Sequence, residues 1–355
     1  MKRTCHTLVF SLLLLVHLCR ECHKTFALIK QVGSYFLRQQ SGLNIHSPAF
    51  EQRDRDVVFS KKELKTEGLG LDPTQEEKTL ASLLKAAGDE KRGKNGKWQD
   101  MFAKYSGSNP IVVNAAMQAA LKQRDYDEGL NIYYNRVRYM TLPTFSIAMK
   151  LLGKCGHLDE VERLWEELVG LNLVNQVLAA ARIDAAADDG DMGGAESVLN
   201  YMVEKDIEAN VVHFTSTIRA CANAKEAGRA KQAQKMFEQM VAKEIEPNIV
   251  TYTNLLRAFR DEPSECCLGL LRDMKDKDVK VNNVFAENFL FIFLKGFGKG
   301  SWRKQRAIVA DIRTLDLADL QTAKCFVDEL RDANVCLNKS CKNIEAAIRM
   351  VLRNQ

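Results

Sequence analysis

The sequence repeats itself, and that constrains the fold more than anything else in it. Asn210-Val-Val-His-Phe-Thr-Ser-Thr-Ile-Arg-Ala220 returns as Asn248-Ile-Val-Thr-Tyr-Thr-Asn-Leu-Leu-Arg-Ala258, 38 positions later. A second motif precedes each copy. Leu199-Asn-Tyr-Met202 leads into Lys205-Asp-Ile-Glu-Ala-Asn210, and Phe237-Glu-Gln-Met240 leads into Lys243-Glu-Ile-Glu-Pro-Asn248. A third copy runs from Leu271-Arg-Asp-Met274 to Lys277-Asp-Val-Lys-Val-Asn282, so the methionines recur at intervals of 38 and 34 residues.

Upstream, Leu142-Pro-Thr-Phe-Ser146 opens a helix ending at Gly153-Lys-Cys-Gly156, and Leu158 to Leu168 follows as its partner. Val161, Leu164, Trp165 and Leu168 fall at i, i+3, i+4 and i+7, one face of a helix. Asp127-Glu-Gly-Leu130 stands in the same relation to Val112-Val-Asn-Ala115. Gly156 and Gly190 lie between paired helices, where the chain needs positive φ. Two helices per 34 to 38 residues predict an α-solenoid, in which each unit buries its apolar face on its neighbours. Composition agrees: only 20 Gly and 6 Pro in 355 residues disfavour turn-dense β-sandwiches and linker-like chains. With 46% hydrophobic and 27% charged residues the chain can bury a core, and a net charge of +5 permits a nucleic-acid partner without arguing for one.

Tetratricopeptide repeats carry Trp-x-x-Leu-Gly-x-x-Tyr in the first helix, which is absent here. Ile249-Val-Thr-Tyr-Thr253, together with Met236-Phe-Glu-Gln-Met240 and Ile245-Glu-Pro-Asn248, resembles the pentatricopeptide repeat family. The resemblance covers 142–297, extends through 74–141 and fades beyond 300. It implies an all-α, right-handed α-solenoid of about five or six helix-turn-helix units with a C-terminal helical cap. The expected divisions are a targeting leader at 1–50, a charged linker at 51–72, the repeat array at 73–314 and capping helices at 315–355.

In such a family one base of single-stranded RNA docks per repeat against the first helices. The resemblance places base-reading residues at Ser146, Thr215 and Thr253 near the start of those helices. It makes Asn248 the partner of Thr215 and Asn282 that of Thr253, with Val212, Val250 and Val284 sandwiching bases. Asn288 takes the reading position of the last unit, with Glu287 as the alternative register; Ser146 pairs with Asn175 or Gln176. The unit opening near Val177 puts Ala at that position. A hydroxyl and a carboxamide can each donate or accept, enough to read one base edge. The competing reading makes Asn210 and Asn248 plain helix caps. From Asn288 to Ala310 no acid occurs, and Lys299, Arg303 and Lys304, interleaved with Phe297 and Trp302, are candidate phosphate contacts at one end of the groove.

The resemblance thus predicts an RNA-binding protein of organellar RNA processing, stability or translation, with organellar RNA-processing proteins as further partners. A protein-binding scaffold with no RNA affinity is the alternative. Lys2 and Arg3 precede the apolar run Leu8–Leu18, a signal-peptide core too short to span a membrane. An acid-free stretch from Cys22 to Phe50 follows, and the pair is similar to the bipartite leader of plastid proteins in algae with secondary plastids. Plastid is therefore the expected compartment and mitochondrion the alternative, with no membrane anchor in the mature form. Plain secretion is the rival, and Asn338-Lys-Ser340 would then be a glycosylation acceptor.

No catalytic constellation is recognised, so no enzyme activity, cofactor or metal is expected. Gly296-Phe-Gly-Lys-Gly-Ser301 lacks phosphate-loop spacing, and Asp188-Asp-Gly-Asp191 lacks the alternating ligands of a calcium loop. Of the 10 cysteines, those on apolar helix faces, such as Cys221 and Cys325, read as small core residues.

Overall fold

A computed structural model describes residues 72–90, 97–294, 308–309, 312–313, 315–333 and 335–353. The leader, nearly all of the linker, and Lys299, Arg303 and Lys304 lie outside these residues. The described residues form helices without strands. Six helix pairs come first: α1 (Gln75–Asp89) with α2 (Lys97–Ala103), α3 (Pro110–Gln123) with α4 (Tyr126–Arg136), and α5 (Leu142–Cys155) with α6 (Leu158–Gly170). Then come α7 (Gln176–Asp189) with α8 (Met192–Glu204), α9 (Val211–Asn223) with α10 (Arg229–Ala242), and α11 (Ile249–Ala258) with α12 (Ser264–Asp276). A seventh first helix, α13 (Asn283–Phe293), precedes α14 (Leu317–Asp332) and α15 (Lys339–Arg353).

Each first helix begins on a residue chosen to satisfy its own free N–H groups. The caps are Thr74, Asn109, Thr141, Asn175, Asn210, Asn248 and Asn282, and each side chain accepts from a backbone N–H in the first turn. Such a cap contributes about 1 kcal/mol. The second helices end just as regularly. Asn172, Asp206, Glu244 and Asp278 take φ of 54°, 53°, 57° and 52°. The next N–H, on Leu173, Ile207, Ile245 or Val279, then reaches back to the carbonyl of Leu168, Met202, Met240 or Met274. The repeated Met…Lys-Asp-Ile signature is therefore a Schellman helix end, with the aliphatic residue after it packed on the core.

Consecutive first helices pack side by side from α1 to α13, while each second helix packs chiefly on the first helices of its own and the next repeat. Small residues permit that approach: a Cβ on Gly153 would lie 2.8 Å from Ala185 Cα in the next first helix. Gly156 and Gly190 adopt φ of 77° and 82° where the chain turns into the second helix. Between the layers Phe145, Phe214 and Tyr252 are buried one position before the expected reading residues. At the C-terminal end α14 and α15 pack on α13, as the expected cap requires. Cys221 is buried, but Cys325 is exposed, because it lies on the outer side of α14.

Candidate nucleic-acid interface

The caps fix the register. Counting five residues from each gives Thr79, Asn114, Ser146, Ala180, Thr215, Thr253 and Glu287, and counting two gives Val177, Val212, Val250 and Val284 in the last four repeats. Those four valines are 61%, 51%, 54% and 53% exposed in a molecule that buries most of its other aliphatic side chains. An apolar residue held in water at the same place of the first helices of four successive repeats makes a row of apolar steps suited to the faces of flat ligands. Val177 completes the row; the pattern Asn175-Gln-Val177, parallel to Asn210-Val-Val212, could have revealed it.

Beside two of the valines, Val212 and Val250, stands a polar pair. Thr215 Oγ1 lies 2.7 Å from Thr251 Oγ1, and Thr251 in turn donates to Asn248 Oδ1 at 3.3 Å. Asn248 Oδ1 also accepts from the N–H groups of Val250 and Thr251 at 2.9 and 3.0 Å. The acceptor end of the carboxamide is thus committed to the cap. Nδ2 has no protein acceptor among the described residues. Capping and reading are compatible, since capping turns Asn248 into a fixed donor. Asn282 repeats the arrangement, accepting from Phe285 N–H at 2.8 Å, while Thr253 donates to the Ile249 carbonyl at 2.7 Å and keeps its lone pairs.

Ser146 is buried, and the cap register pairs it with Asn175, not Gln176, because Asn175 Oδ1 accepts from Leu178 N–H at 3.0 Å. The same register puts Glu287, not Asn288, five residues after Asn282. Asn288 turns back to the Val284 carbonyl at 2.8 Å, and Glu287 accepts from Asn338 Nδ2 at 2.7 Å. The last of these fifth positions is thereby tied to the C-terminal helices. Asn338 also caps α15 by accepting from Cys341 N–H at 2.9 Å. Asn114 is a polar residue at the equivalent fifth position, one that the sequence did not single out. Its Nδ2 lies 3.4 Å from Thr141 Oγ1, and its Oδ1 is buried without a partner. The 32-residue step from Asn109 to Thr141 had hidden the register.

Four residues beyond the reading position the same helix faces carry Lys150, Asp184, Arg219 and Arg257. Arg257 donates to Asn223 Oδ1 at 2.9 Å and Asn254 Oδ1 at 3.4 Å. Burial, and then the like charges of Arg260 and Arg219, lower its pKa from the usual guanidinium value. Among the described residues no group of His, Cys, Asp and Glu could hold a metal ion, and no helix is long and apolar enough to cross a membrane.

Comparison with known proteins agrees with this geometry. Residues 143–173 match the PPR repeat model, and 197–262 match the pentatricopeptide repeat domain model. Comparison with curated proteins finds no match. Among solved structures, a form of the pentatricopeptide repeat protein PPR10 with three cysteines changed to serine, in complex with an 18-nt PSAJ RNA element, aligns at 13% identity and TM-score 0.51, over 93% of this chain and 53% of that one. PPR10 with an 18-nt psaJ RNA element aligns at 15% identity and TM-score 0.50, over 90% and 46%. PPR10 from maize aligns at 15% identity and TM-score 0.43, over 78% and 43%. The chain thus spans about half the length of these structures. Matched motifs, paired helices and a shared solenoid fold lead to one conclusion: the chain carries pentatricopeptide repeats over 143–173 and 197–262, within an α-solenoid of the same fold.

Proposed function

We propose that this protein binds single-stranded RNA along its first helices, one base per repeat, and reads adenine at repeats five and six. The row of exposed valines beside Thr/Asn pairs carries the reading. When Thr251 donates to Asn248, Thr215 donates to Thr251 and keeps its lone pairs for a ligand. An acceptor at Thr215 or Thr253 beside a donor at Asn248 or Asn282 complements the N6 amino group and N1 of adenine. Unpaired bases leave those edges free, which favours single strands over duplexes. PPR10, which shares the fold, was solved with an RNA element, and this supports the assignment. The protein acts by guarding or presenting a transcript, without catalysis of its own. The signal core and acid-free segment support an organelle, plastid ahead of mitochondrion, as the place of RNA processing, stability or translation.

Retention of labelled single-stranded RNA over a salt series tests the binding. Affinity that falls with salt is expected; no retention even at low salt would leave a protein-binding scaffold. A fusion of residues 1–72 to a fluorescent protein tests the address, and fluorescence in the medium would overturn it.

A further inference from the structure

On each first helix the reading position heads a stripe at i, i+4 and i+8 on one face. Repeat three presents Ser146, Lys150 and Lys154; repeat five presents Thr215, Arg219 and Asn223. Repeat four, between them, presents Ala180, Asp184 and Asp188. The two carboxylates reach both neighbours. Asp184 lies 3.9 Å from Lys150 Nζ, accepts from an Arg219 terminal nitrogen at 3.1 Å and accepts from the Ser216 hydroxyl at 2.7 Å. Asp188 accepts from Lys154 Nζ at 2.8 Å and lies 3.7 Å from Arg219. Two acids thus hold three groove cations, in the one repeat from three to six whose reading position has no polar atom. Arg257, one repeat further on, has no carboxylate partner among the described residues.

We propose that Asp184 and Asp188 make repeat four an electrostatic gap in the RNA track, holding Lys150, Lys154 and Arg219 away from the phosphates of a bound strand. The inference rests on the RNA-binding reading and deepens it. A phosphate passing this point meets two carboxylates set against the three cations, a net charge of +1 where the cations alone would offer +3. The base opposite Ala180 can lie on Val177 but finds no hydrogen-bonding side chain at the reading position. The strand is therefore read on both sides of repeat four, at Ser146 and Thr215, and neither read nor gripped by charge at it, which keeps non-specific affinity low and leaves selection to the flanking repeats.

The test uses the full chain and random-sequence single-stranded RNA over a salt series. Asp184→Asn with Asp188→Asn keeps side-chain acceptors for Ser216 and Arg219 while freeing the cations. Affinity is expected to rise on the order of tenfold, and the slope of log affinity against log salt to steepen by roughly 1.4 to 2.1, for two or three recovered contacts. Asp188→Asn alone leaves every Asp184 bond in place and should steepen the slope by about 0.7, so it decides the matter if the double variant fails to fold. Asp189→Asn, the same charge change at an exposed residue with no ion pair among the described residues, should leave the slope unchanged. Wild-type binding with no steeper slope in either groove variant overturns the gap and leaves RNA binding intact. Silence of wild type and variants alike at low salt overturns both, whereas binding gained only by the variants supports the gap.

Discussion

Thr215 and Asn248 belong to different repeats, yet the Thr251 hydroxyl joins them, 2.7 Å from the first and 3.3 Å from the second. One hydroxyl thereby sets both halves of the proposed base-reading pair, one as acceptor and the other as donor. Thr251 is fully buried and cannot touch a base itself. Thr251→Val keeps shape and removes the relay. It should cost about 1–2 kcal/mol of stability, because the Asn248 N–H also loses its acceptor. Adenine preference should weaken at the repeat-five nucleotide and persist at the repeat-six one. Selection from a random RNA pool checks this, and equal preference at both positions would show that the relay does not orient the pair.

The register also permits a change of base identity. Thr253→Asn with Asn282→Asp should move the preference at the repeat-six nucleotide from adenine towards uracil. Asp caps a helix as well as Asn does, so Phe285 N–H keeps its acceptor and the fold survives. The new carboxylate replaces an outward donor with an acceptor, which suits the N3–H of uracil and repels N1 of adenine. Selected sequences that still carry adenine there would show that Thr253 and Asn282 only begin a helix.

Much of this was legible in the sequence, because each repeat must close its own helix ends. The Asn caps and the Met…Lys-Asp-Ile ends are local, and local signals survive in sequence. The 38-residue step between Asn210 and Asn248 arises locally too: five residues, 224–228, join α9 to α10, where two, 190–191, join α7 to α8. The register at Asn282 and Asn283 was not legible, since both are good caps and only the bond to Phe285 chooses. Nor were the ion pairs of Asp184 and Asp188, which join residues 31 to 35 apart across helices whose side-by-side packing the sequence only implies.

Lys299, Arg303 and Lys304 yield a prediction from sequence alone. Changing all three to Gln should weaken binding about equally for every RNA sequence. The salt slope should shrink by roughly 0.7 per lost phosphate contact. The measurement is the one used for the groove acids, with the opposite sign expected. An unchanged slope would make the stretch a solvated surface.

The last prediction concerns acid stability. Tyr252 donates to Asp273 at 2.5 Å, and Lys277 donates to the same carboxylate at 2.9 Å. Burial alone would raise the Asp273 pKa, but the bonds from Lys277 and Tyr252 outweigh it and leave the group below its ordinary value. The folded pKa then lies below the unfolded value of about 3.9. The unfolded chain therefore takes up the proton first on acidification. The resulting stabilisation is complete above the unfolded pKa and lost as pH falls through the folded one. Tyr252→Phe removes one donor, moves the folded pKa back up and should cost about 1–2 kcal/mol at pH 7. Denaturant melts of both proteins from pH 7 to about pH 2 should show their difference narrowing as pH falls below the unfolded carboxylate range and Asp273 protonates. A difference that stays constant over that range would place the cost of the substitution in packing, since burial of the ring against Phe237 does not titrate.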